Sequence, residues 1–280
     1  MRTRALARRS TLAGLGIVAV LGTVACLAPW LAPHDPILVD AASGFAGPSA
    51  VHWLGTDNLG RDVLSRLVYG ARWSLGIVVV ATLVVITVGV TVGIAAGYVG
   101  GLVDDVLMRI VDTLLSVPSL LLGLAIVGTL GPGIGTLTIG LASIWWVSHA
   151  RVVRGLVLGL RERAFVDAAR ALGATDRCII VRHILPAILP AVTVLASLEM
   201  GELVLAISGF SFLGLGVQPP TPEWGGMLND GRAFFFTAPQ LMLYPGLAIS
   251  VAVLGFNMLG DGLRDALDPV DAPRLREVGR

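Results

Sequence analysis

The chain has 280 residues, 55% of them hydrophobic and only 14% charged, with a net charge of +1 and a mean hydropathy of +0.83. An ordinary soluble domain carries about 25% charged residues, so there is too little polar surface here to face water on all sides, and the near-neutral balance offers nothing to nucleic acid. All 20 basic residues are arginine; without lysine the chain can form neither a Walker-type phosphate loop nor a lysine Schiff base.

About 20 helical residues cross a bilayer core, and six apolar stretches qualify as spans, at roughly Leu12–Leu31, Leu75–Gly97, Leu114–Leu130, Ile134–His149, Ala187–Ile207 and Leu241–Leu259. The first follows a basic "MRTRALARRS", as a secretory signal would. Its apolar core is longer than the roughly 7–15 residues of a signal, so a retained anchor is expected. After it, Pro, Gly and Asp mark turns through Pro48. "GRDVLSRLVYGAR" then reads as an amphipathic helix lying along the membrane, with Val63, Leu67 and Gly70 on one face and Arg61, Asp62, Ser65 and Arg66 on others. Small residues in "GIVAVLG" (Gly16–Gly22) and "GVTVGIAAGYVGG" (Gly89–Gly101) suit close helix packing. Only "GTLGPGIGT" (Gly128–Thr136) separates the third and fourth spans.

Between the fourth and fifth spans stands a charged passage, "FVDAARALGATDRCIIVRHILP" (Phe165–Pro186). Phe165, Ala168 and Leu172 share one helical face and Arg163, Asp167 and Arg170 another. Gly173 supplies a left-handed helix end. Thr175 caps a second short helix with Asp176 in its first turn, and Pro186 is expected to stop that helix near Leu185. Periodicity leaves two roles open for the exposed knob of Phe165, Ala168 and Leu172: lying in lipid headgroups or docking a soluble partner.

The fifth span holds Glu199 and Glu202, three apart on one face. Intramembrane carboxylates mark a pathway by default; hydrogen bonding between helices is the alternative. His149, near the end of the fourth span, reads as too close to the inner face to join them. Beyond this span, Pro219, Pro220 and Pro222 hold an extended segment that leads to Trp224 and a Phe run suited to the interface belt.

With the N-terminus inside, sixteen arginines fall on inner segments and only Arg61, Arg66, Arg72 and Arg232 on outer ones. By the positive-inside rule both termini and the charged passage are cytoplasmic. Cys26 and Cys178 fall on opposite sides of the membrane or within it and cannot pair, and His34, His52, His149 and His183, far apart in sequence and on different sides, are too scattered for a histidine-based metal site. Zinc helices and nucleophile elbows are missing; no catalytic residue, metal or cofactor is expected.

"DAARALG" followed after nine residues by "HILP" resembles the EAA loop of permease subunits in binding-protein-dependent ABC importers. The match lies at Asp167, Ala168, Ala169, Gly173, Leu185 and Pro186; Asp167 replaces the family's Glu, and His183 is the variant of the peptide/nickel branch. "HWLGTDNLGRDVLSRLVYGAR" (His52–Arg72), "GGLVDDVLMRIVDTLLSVPSLLL" (Gly100–Leu122), "SFLGLGVQPPTPEWGGMLNDGR" (Ser211–Arg232) and "GDGLRDALDP" (Gly260–Pro269) resemble the "C" type permease of that branch, from Ala28 onwards.

The resemblance implies an all-α integral membrane protein of about six transmembrane helices, with a cytoplasmic coupling-helix (EAA) loop and type I ABC importer permease architecture. Its divisions are residues 1–71 (tail, anchor and external segment), 72–265 (permease domain) and 266–280 (cytoplasmic tail). Implied partners are a second permease subunit in a heterodimer, one or two ATP-binding subunits, an extracytoplasmic substrate-binding protein and the bacterial inner-membrane bilayer. Residues 161–186 would engage the ATPase, through Phe165, Asp167, Ala168, Ala169, Arg170, Leu172, Gly173, His183, Leu185 and Pro186. Trp53, Asp57, Arg61, Asp62 and Trp224 would meet the binding protein. The cargo is a small peptide or nickel. An ion-gradient-driven transporter or channel using Glu199 and Glu202 is the competing reading, although no inverted repeat supports it.

Overall fold

The computed structural model describes the backbone from Arg2 to Leu267 and the side chains of residues 10–266; most of the expected 266–280 tail lies outside the described residues. Eleven α-helices make up the described chain: α1 (Arg2–Cys26), α2 (Ala28–Leu31), α3 (Val63–Val99), α4 (Gly101–Leu115), α5 (Ser119–Leu130), α6 (Ile134–Arg161), α7 (Ala164–Ala171), α8 (Asp176–Ile179), α9 (Leu185–Phe212), α10 (Trp224–Arg232) and α11 (Gln240–Leu267). The only β pairing among the described residues is one isolated bridge, Thr56 with Asp62.

All six expected spans are helical, but their lengths differ from the sequence reading. Among the described residues, three helices are long and apolar enough to cross a bilayer on length and composition alone: Val63–Val99, Asp176–Phe212 and Gln240–Ala266. A fourth is added if α4 and α5 count as one broken span; they meet at 86° across Ser116–Pro118. Pro118 lacks the N–H a continuous helix needs, so Leu114–Leu130 is not one straight span as expected. The apolar part of α1 is Ser10–Cys26, and α6 is diluted by Trp145, Trp146, His149, Arg151 and Arg154 in its middle.

Two further boundaries correct the sequence reading. The stretch expected to lie along the membrane from Val63 is instead the first part of α3, which runs 37 residues without a break, about 55 Å at 1.5 Å per residue. Pro186 does not stop the helix of the charged passage. Five residues of π-helix, Ile180–Ile184, precede it, and Pro186 is then the second residue of α9, within one continuous helix that runs from Asp176 to Phe212.

Helix α3 lies at the centre, against α6. Gly89, Gly93 and Gly97 form a stripe on which added Cβ atoms would meet His149 Cβ at 2.5 Å, Val153 Cβ at 2.6 Å and the Arg154 carbonyl at 2.9 Å. This close-approach face was legible as "GVTVGIAAGYVGG". The one expected at Gly16–Gly22 was not the face used: Gly16 and Gly22 have open space beside them, and α1 meets α11 through Gly14, against Met258 and Leu259. The main core joins Leu75, Val78, Ala81, Leu137, Leu141, Leu203, Ile207 and Phe210 from α3, α6 and α9. A second core, Tyr98, Val153, Val157, Val166, Ile179, Ile184 and Ile188, sits where the charged passage folds back on the bundle.

Candidate functional site

The charged passage is a short helix, a left-handed turn and a second helix, as its spacing predicts. Gly173 has φ +79°, and the Thr175 hydroxyl caps α8 by accepting the Cys178 N–H at 3.3 Å. One side of the passage is locked to the bundle. Val166, Ile179 and Ile184 are fully buried in the second core, the Tyr98 hydroxyl donates to Asp176 Oδ1 at 2.6 Å, and the Arg170 guanidinium lies 5.8 Å from the centre of the Tyr98 ring. Arg161 donates to the Gly97 and Tyr98 carbonyls and closes the last turn of α3.

The other side carries no cover among the described residues. Phe165 is 43% and Leu172 88% exposed, and Asp167, Ala168, Arg170 and Gly173 are exposed with them. Asp167 and Arg170 lie 3.6 Å apart on the surface. Ala169 and Leu185 pack partly against the core, His183 tilts towards Phe165 with ring centroids 6.2 Å apart, and Pro186 is exposed. The anchors Val166, Ile179 and Tyr98 were not singled out in the sequence. Val166 stands about 100° round α7 from Phe165, off the face that Phe165, Ala168 and Leu172 share, the one signal available.

The two span carboxylates part company. Glu199 is buried and faces His149 of α6, with Oε2 and Nε2 2.9 Å apart; Glu202 is exposed on α9. His149, expected to lie too near the inner face, is therefore the partner of Glu199, and the two carboxylates do not share one environment.

On the opposite face, the segment between α2 and α3 is tied to α10 by buried charge. Asp57 Oδ2 accepts from Arg61 Nε at 2.6 Å and lies 3.5 Å from Arg66 Nε, and both arginines donate to Asp230, at 3.3 and 3.1 Å. Asp57, Arg61 and Arg66 are all buried. Trp224 is buried too; its ring N–H donates to the Leu67 carbonyl at 3.0 Å, and the neighbouring Glu223 accepts from Ser74 and caps α10. Asp57, Arg61, Asp62 and Trp224, expected to meet a binding protein, are thus buried in contacts within this chain, whereas Trp53, expected with them, is 67% exposed.

Asp62 caps α3, its Oδ2 accepting from the Ser65 N–H at 2.8 Å and the Ser65 hydroxyl at 2.7 Å, while His52 Nδ1 stands 2.9 Å from Oδ1. Burial pushes this carboxyl up, but the Ser65 and His52 hydrogen bonds outweigh it and hold the pKa below the ordinary 3.8. His34 and His52, which the sequence reading took to be among four histidines too scattered for a metal site, are brought together here with ring centroids 4.7 Å apart.

Residues 89–270 match the family described as binding-protein-dependent transport system inner membrane component. The chain is 44% identical over 262 residues to the nickel transport system permease protein NikC of Escherichia coli (strain K12), covering 94% of this chain and 95% of that one. It is 46% identical over 253 residues to the glutathione transport system permease protein GsiD of Escherichia coli O6:K15:H31, covering 90% and 84%. Among solved structures, the inward-facing MetNI methionine ABC transporter aligns with a TM-score of 0.59 at 19% identity, over 73% of this chain and 97% of that one. That likeness speaks for the fold.

Proposed function

The chain belongs to the family of binding-protein-dependent transport system inner membrane components, and from that premise we propose the part it plays in its importer. It is a multi-pass permease subunit of an ATP-driven ABC importer of the peptide and nickel type; separate ATPase subunits hydrolyse the ATP, and a substrate-binding protein delivers the cargo. In the fuller reading it pairs with a second, different permease subunit, each contributing half of the pore, with both termini in the cytoplasm. The functional divisions are then an N-terminal anchor with its external segment (1–71), the permease proper (72–265) and a tail. The cargo is a small peptide or nickel, the classes named for relatives 44–46% identical to it.

The observation that supports this reading most is α7. A helix whose inner side is locked by Val166 and the Tyr98–Asp176 bond, and whose outer side presents Phe165 and Leu172 to nothing, suits a peg for a cleft in another protein. Burying two such side chains contributes about 1.5–3 kcal/mol each, and the rigid mounting carries any movement of the ATPase into α6 and α9 directly. Glu202, exposed on α9, is the better candidate to meet cargo; Glu199 is committed to His149.

Reconstitution in liposomes tests the proposal. With its partner permease, the ATPase subunits and the binding protein, uptake of labelled peptide or nickel should require ATP on the cytoplasmic side. Uptake that persists on an ion gradient, without any ATPase subunit, would replace this reading with a secondary transporter.

A further inference from the structure

Three separate pieces of chain bring nitrogen and oxygen ligands to one point on the outer face. His34 follows α2, His52 lies in the middle of the outer segment, and Asp62 stands at the start of α3. His52 Nδ1 is 2.9 Å and His34 Nδ1 3.8 Å from the same oxygen, Asp62 Oδ1, and each of the three residues offers a ligand atom within 4.8 Å of the other two. Ligand atoms around a tetrahedral ion with bonds of about 2.0–2.1 Å stand roughly 3.3 Å apart, so small ring movements suffice to close a shell.

Ordinary hydrogen bonding does not account for the whole cluster. The second oxygen of Asp62 is already taken by the two Ser65 donors, which leaves Oδ1 turned to the histidines. His52 satisfies it, yet His34 Nδ1 is buried with no hydrogen-bond partner. Native structures leave few buried polar atoms unpaired, and each calls for an occupant or a reason. Beside His34 opens a cleft of about 540 Å³, lined also by Pro36, Tyr69, Trp73 and Pro222, through which an ion and its remaining ligands could enter.

We propose that His34 Nδ1, His52 Nδ1 and Asp62 Oδ1 bind one divalent transition-metal ion. Two imidazoles and a carboxylate suit Zn²⁺ or Ni²⁺ rather than the oxygen-seeking Mg²⁺ or Ca²⁺. Water or a small chelating ligand in the cleft completes the coordination. The ion clips the chain after α2 and the loop around His52 to the cap of α3, and so fixes the outer layer at the mouth of the bundle. The site belongs to this chain's own residues and would stand whether the cargo is a peptide or nickel.

The test uses the full-length chain in lipid nanodiscs, purified without a histidine tag and stripped with a chelator. Titration with Co²⁺, a spectroscopic stand-in for zinc, should saturate at one ion per chain with visible d–d absorption that Zn²⁺ abolishes. His34→Ala and His52→Ala should each weaken binding by at least about tenfold, since even residues that only orient a ligand have effects of that size. No binding, or binding untouched by both substitutions, overturns the proposal. Should His52→Ala fail to fold, His34→Ala decides alone, because His34 Nδ1 makes no hydrogen bond that the substitution would remove.

Discussion

Asp57 stands between two buried guanidiniums, and that position sets what its charge is worth. Burying an ion is costly, and the cost is recovered only while its partners stay in place. Replacing Asp57 with Asn leaves Arg61 and Arg66 sharing Asp230 alone, itself a third exposed. Asp57→Asn should therefore cost about 3–5 kcal/mol, whereas Asp167→Asn, which breaks only the surface pair with Arg170, should cost less than about 1 kcal/mol; unfolding titrations of the two variants in detergent check the contrast. The sequence showed these acids and bases to be outside the bilayer core but could not show their pairing. Arg61 and Asp230 are 169 positions apart, and local charge patterns carry no information over such a distance. The same limit hid the contact of His34 with His52.

Among the elements, α3 and α6 show a pattern that could be read in advance. Glycine at 89, 93 and 97 recurs every four residues, one helical face, and the structure uses that face for a close approach to α6. Gly93→Leu puts a side chain where a Cβ alone already comes within 2.7 Å of the Ala150 carbonyl. It should force the helices apart and cut the yield of folded protein in the membrane, while Gly16→Leu, with open space around it, should not; fluorescence-detected gel filtration of both variants separates the outcomes. The turn at Gly173 and the cap at Thr175 were legible for the same reason, since both depend on neighbours a few residues away. The course of the chain through Pro186 was not. A proline reads as a stop, and nothing in "IIVRHILP" announces the π-helical turn that places it in the first turn of the next helix. Likewise Pro118 bends α4 from α5 by 86° inside what looked like one apolar run, because hydropathy reports composition and not direction.

Over the whole molecule, the described residues form a bundle with two differently finished ends. At one end, buried ion pairs and capped helices weld the outer segment, α3 and α10 into a layer. At the other, α7 and α8 are fastened on one side and bare on the other, next to the junction of α3, α6 and α9. A machine driven by a separate ATPase needs that asymmetry: a stiff mount that passes force inward and an apolar face that is complete only in the assembly. The most direct measurement is photo-crosslinking from a probe amino acid placed at Leu172 in the assembled importer, in its native membrane. The account predicts that the probe captures the ATP-binding subunit, in a yield that changes with ATP. Capture of phospholipid alone would contradict it.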